Sequence, residues 1–72
     1  MLRLPLLSGR KIVAVLAKLG YQEIRQRASH IRLSCPGKKS ITVPDYKIIS
    51  RGLLRKILRD AEISQKEFLN LL

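Results

Sequence analysis

The spacing of the apolar residues changes twice along this 72-residue chain, and those two changes restrict its fold more than any other feature. Ile12, Val15, Leu16 and Leu19 recur at the three- and four-residue intervals of one helix face. From Tyr21 the helical interval disappears, and Tyr21 to Ser34 and then Ser40 to Val43 carry alternating apolar residues, the pattern of strands with one wet face. After Ser50 the helical interval returns in Leu53, Leu54, Ile57, Leu58 and Ala61. The order predicted is helix, three antiparallel strands, helix, with a short third helix at the end.

The polar residues between these runs are the ones that start and stop such elements. Ser8, Ser50 and Ser64 each precede a helical stretch as N-caps. Around them the pairs Leu7 and Ile12, Ile49 and Leu54, and Ile63 and Phe68 occupy staple positions. Leu7 therefore ties the first seven residues to the body of the fold. Ser64 and Glu67 have the spacing of a capping box, and the helix they open is expected to bury Phe68 and Leu71. Gly20 falls where a left-handed cap would end the first helix. Cys35-Pro36-Gly37-Lys38 reads as a turn before a third strand, Ser40 to Val43, which Pro44 ends.

Elements in this order form an α+β domain of two layers, with helices on one face of a small antiparallel sheet and solvent on the other. Residues 1–72 are read as one domain, since so short a chain buries only about 60% of the surface exposed when unfolded. Ile31, Leu33, Ile41 and Val43 point inward, which sends His30, Arg32 and Ser34 to the open face. In the first strand Ile24 suggests that even-numbered residues face inward, placing Arg25 and Arg27 outward beside His30.

Fifteen Lys and Arg against five Asp and Glu give a charge of +10, a self-repulsion best tolerated when a polyanion neutralises it. Nucleic acid is the first candidate. A membrane is a poor second, because the run Leu2 to Leu7 is interrupted by Arg3 and Pro5 and is too short for an anchor or a signal peptide. A cytoplasmic protein is expected. Cys35 is the single cysteine, so an internal disulfide is excluded, and one Cys with one His falls short of a structural zinc site. The five carboxylates are scattered, with only Asp60 and Glu62 close in sequence, which argues against a protein-held catalytic metal. Ser29 has no evident Asp–His relay, and the glycines form no phosphate-cradling loop. No cofactor is implied.

The residues also resemble a known family, the HicA or YcfA-like toxins of HicA–HicB toxin–antitoxin pairs. The resemblance runs through Leu4-Pro5-Leu6-Leu7-Ser8-Gly9-Arg10 and Leu19-Gly20-Tyr21. It is strongest at Arg25-Gln26-Arg27-Ala28-Ser29-His30, similar to the family's segment ending in Gly-Ser-His. It continues through Thr42-Val43-Pro44, Gly52 to Leu58, and Ile63-Ser64. The resemblance implies a fold like a double-stranded-RNA-binding domain, metal-independent cleavage of messenger RNA, and inhibition by a HicB-like antitoxin that covers the site. It matches His30 to the catalytic histidine and Ser29 to the serine before it. Three residues depart from the family pattern: Ala28 and Glu62 stand where glycine is usual, and Tyr46 lies where many members carry a second histidine.

Cleavage of RNA by side chains alone needs a base for the 2′-hydroxyl proton, cations for the charged transition state and an acid for the leaving oxygen. His30 is the base, and neighbouring cations would favour its neutral, proton-accepting form. The acid is left open among His30 itself, Tyr46 and a lysine. The expected RNA-binding set is Arg25, Arg27, Ser29, Arg32, Lys38, Lys39, Arg51 and Arg55, the last two on a helical stripe with Arg59 that Lys56 widens. A free monomer is expected. Two rival functions compete with the endoribonuclease: an RNA-binding module without catalysis, and a basic domain that docks an acidic protein.

Overall fold

The computed structural model describes residues 3–72; the Leu2 end of the early apolar run lies outside them. In chain order the elements are α1 (Gly9–Ala17), β1 (Gln22–Arg27), β2 (His30–Ser34), β3 (Ile41–Pro44), α2 (Arg51–Ala61) and α3 (Gln65–Leu71). The strands form one antiparallel sheet in the order β1-β2-β3. Both α1 and α2 pack against β3, and α3 packs on α2. This is the two-layer α+β arrangement expected.

Three serines start the three helices, each accepting a hydrogen bond at Oγ from a backbone N–H three residues on: Lys11, Leu53 and Glu67. The first two helices also end alike. At α1 the Tyr21 N–H donates to the Leu16 carbonyl and Gly20 N–H to Ala17, with Gly20 at φ +101°. At α2 the Ile63 N–H donates to Leu58 and Glu62 N–H to Arg59, with Glu62 at φ 60°, ψ 39°. Both are Schellman endings. Only the first has the glycine that suits it.

Ile12, Leu16, Ile31, Leu33, Leu54, Leu58 and Phe68 are fully buried between the layers, and burying each such side chain contributes roughly 1.5–3 kcal/mol. Leu71, expected in the core, is only partly buried beside it. The N-terminal segment is fixed by backbone pairing of Leu7 with Ile49, and Leu4 is buried. Gly9 is packed so closely that a Cβ there would fall on the carbonyl oxygen of Pro44, while its N–H donates to the Tyr46 carbonyl at 2.9 Å. The start of α1 is thereby pressed onto the end of β3.

The first strand departs from the expected parity. Its ladder shifts between Glu23 and Arg25, so Ile24 is an extra bulged residue and is 59% exposed rather than inward. Every residue of β1 is exposed, whereas β2 and β3 alternate between buried and open positions. The helices bury alternate side chains of β2 and β3 but none of β1.

Candidate nucleic-acid interface

The site is built on the turn between β1 and β2. Arg27 and His30 are a cross-strand pair, so Ala28 and Ser29 alone form the loop. Ala28 has φ +53°, the sign required at the first loop position of a type II′ hairpin, which glycine meets without cost. The Ser29 carbonyl accepts a 2.6 Å hydrogen bond from the Asp45 N–H, tying this loop to the chain just past β3. His30 therefore begins β2 with Arg27 on one side and Pro44 of β3 on the other.

One row further along the same face, Arg32 lies between Arg25 of β1 and Thr42 of β3. The bulge at Ile24 precedes this stretch, so Arg25 and Arg27 share the open face with His30 and Arg32 even though Ile24 is not inward. Arg25, Arg27, His30, Arg32 and Thr42 line an open concavity of about 370 Å³. Arg32 Nη1 donates to Thr42 Oγ1 at 2.9 Å, which holds one guanidinium across the floor. Three guanidiniums and one imidazole converge with no carboxylate among them. An anion entering here gains charge-assisted hydrogen bonds and relieves the repulsion between the arginines.

The remaining expected contacts lie elsewhere. Ser29 is in the loop next to His30 and half-buried. Lys38 donates to the Ala61 carbonyl at 3.0 Å, and Lys39 pairs with Asp60 at 3.1 Å, so both serve the C-terminal end of α2. Lys56 also reaches Asp60 at 3.1 Å, and hydrogen bonds from Lys39 and then Lys56 hold that carboxyl below its ordinary range. Arg51 Nε donates to the Leu4 carbonyl and is half-buried, which removes it from the exposed stripe. Arg55 is exposed on α2, in the helical layer. Tyr46, 49% exposed, is not among the residues lining the concavity.

Thr42 was not among the expected site residues, although its place between inward Ile41 and Val43 signals an outward side chain. Arg10 carries no such signal, because its partners lie 13 to 35 residues away. Among the described residues no three His, Cys, Asp or Glu side chains gather where they could hold a metal ion. Nor is any described helix long and apolar enough to cross a membrane.

A family model described as the HicA toxin of bacterial toxin–antitoxin matches residues 9–63, which include every residue of the concavity. Comparison with curated proteins finds no match.

Proposed function

The chain belongs to the HicA toxin family of bacterial toxin–antitoxin systems, and from that premise we propose that it is an endoribonuclease that cleaves messenger RNA through His30. One observation supports this above the rest: the chain's only histidine opens onto a concavity whose other charged groups are Arg25, Arg27 and Arg32. The arginines bind the phosphate and stabilise charge as it builds on the non-bridging oxygens. His30 takes the proton of the adjacent 2′-hydroxyl, and O2′ attacks phosphorus as the bond to O5′ breaks. The products are a 2′,3′-cyclic phosphate and a 5′-hydroxyl, and the proton on His30 returns to the leaving O5′. This assignment gives the imidazole both proton transfers, since the other lining groups are three guanidiniums and the Thr42 hydroxyl.

As one half of a toxin–antitoxin pair the chain has an antitoxin partner. We take this partner to be HicB-like, to cover the concavity with acidic groups, and to meet a toxin that is monomeric when free in the cytoplasm. The absence of a second proton-transfer group among the lining residues favours one alternative, a module that binds RNA on the same face without cutting it. Incubating RNA with wild type and His30→Ala, with and without EDTA, and mapping the ends separates the two. Cyclic-phosphate ends from the wild type and a loss of at least about 100-fold in the variant are expected. Equal cleavage by both, or none by either, refutes catalysis by His30; cleavage lost in EDTA transfers the reaction to a metal.

A further inference from the structure

We infer that Arg10, on the helical side of the sheet, is a positioning residue for the His30 site, holding β1 in the register that sets Arg25 and Arg27 beside the imidazole. The inference rests on the proposed endoribonuclease reading for its kinetic part, and on geometry for the rest. No residue of β1 is buried, so packing does not hold this strand. Glu23 and Gln26 pair with Leu33 and Ile31, which puts them on the sheet's inner face, where an edge strand ordinarily contributes apolar residues. Arg10 meets both of them from α1. Its Nη1 bonds Glu23 Oε1 at 3.0 Å, Nη2 bonds Gln26 Oε1 at 2.5 Å, and Nε lies 3.4 Å from Asp45 Oδ2.

Each of the three guanidinium nitrogens thus engages a different residue: one near the start of β1, one near its end, and one just beyond β3. Gln26 extends the connection, its Nε2 donating to Asp45 Oδ2 at 3.2 Å and to the Ala28 carbonyl at 3.3 Å. A continuous set of hydrogen bonds therefore runs from α1 to the loop immediately before His30. These groups are substantially solvated, with the Arg10, Glu23 and Asp45 side chains 50%, 38% and 31% exposed. Pairs so exposed contribute little to global stability. Their effect is local, on the placement of a strand whose only other hold is its ladder with β2, since none of its side chains is buried. The planar fork matters as much as the charge, since an ammonium cannot reach three partners in one plane.

The test uses the full chain with Arg10→Met and Arg10→Lys, following backbone amide exchange by NMR and kcat and KM on an RNA oligonucleotide. In both variants exchange in β1 and the Ala28–Ser29 loop should quicken about tenfold or more relative to β3. The value of kcat should fall about tenfold or more, and KM should rise by no more than kcat falls, since Arg25 and Arg27 also bind the phosphate. Four results overturn the inference: unchanged β1 exchange, a raised KM at constant kcat (a direct phosphate contact), full rescue by lysine (charge alone), or loss of the fold in Arg10→Met. His30→Ala run alongside keeps the two claims apart. If it cleaves like wild type, the functional reading falls, while exchange alone still supports or overturns the hold of Arg10 on β1.

Discussion

Replacing Glu62 with glycine should stabilise the protein, and the size of the effect follows from how α2 ends. Glu62 sits at φ 60°, ψ 39°, in the left-handed region, which costs a residue with a Cβ roughly 1–2 kcal/mol. Glycine removes that cost but loses about 0.4–1 kcal/mol through its freer unfolded chain, leaving a net gain centred on about 0.8 kcal/mol. For a chain of 72 residues the entropy of unfolding near the midpoint is about 0.15 kcal/mol per degree, so Tm should rise by about 3–7 °C. Glu62 also carries its negative charge at the negative end of α2, and losing it adds a few tenths of a kcal/mol of a different origin. Glu62→Ala separates the two contributions, because alanine removes the charge and keeps the Cβ. Urea unfolding of wild type, Glu62→Gly and Glu62→Ala, followed by circular dichroism, should place glycine above alanine at unchanged m-value. If alanine matches or exceeds glycine, the gain is electrostatic and the backbone argument is wrong.

Three further outcomes follow from the packing and the charges. Gly9→Ala should destabilise by at least about 2 kcal/mol in the same urea assay, since its Cβ meets the backbone of Pro44 rather than a side chain that can turn aside; a loss under ~0.5 kcal/mol would show that α1 shifts freely. The Tyr21 hydroxyl is buried without a protein hydrogen-bond partner, and burial, with Cys35, Glu62 and Asp60 nearby, pushes its ionisation above the ordinary 10.0. Tyr21→Phe should therefore cost nothing or stabilise by up to about 1 kcal/mol, and a loss beyond ~1 kcal/mol would reveal a bond to that hydroxyl. Asp60 is held below its ordinary 3.8 in the fold, so the stability it contributes is complete above that value and declines as pH drops through the lower, folded value. Stability measured between pH 7 and pH 2 should decline less steeply for Asp60→Asn, and an identical decline would remove Asp60 from the acid response.

The elements could be read from the chain because the signals that set them are local. A serine before a staple pair, a glycine after the last apolar helix position and a two-residue alternation each act within a few residues, and Ser8, Ser50, Ser64 and Gly20 all do as their types require. The open-face placement of His30 and Arg32 follows from the same short-range parity. What the chain does not display is set by partners far along it. The bulge at Ile24 depends on how β1 pairs with β2, and an isoleucine is ordinarily a sign of an inward position. Arg51, Lys38 and Lys39 look like free cations until Leu4, Ala61 and Asp60 meet them across 47, 23 and 21 residues. Arg10 is hidden for the same reason. Ala28 and Glu62 show the converse: their neighbours demand a left-handed residue, and the fold holds one there although neither is glycine.

The solvent on both sides of β1 has a consequence for how this protein can change over generations. A buried position accepts few replacements, because each must fit the volume its neighbours leave. Residues 22–27 face no such filter, yet they carry two of the three arginines of the concavity. Mutation can therefore redraw the face proposed to bind RNA while the layer of β2, β3 and the helices keeps its shape. On the proposed reading of this face, β1 is a place where new specificity can accumulate without first passing through a misfolded ancestor.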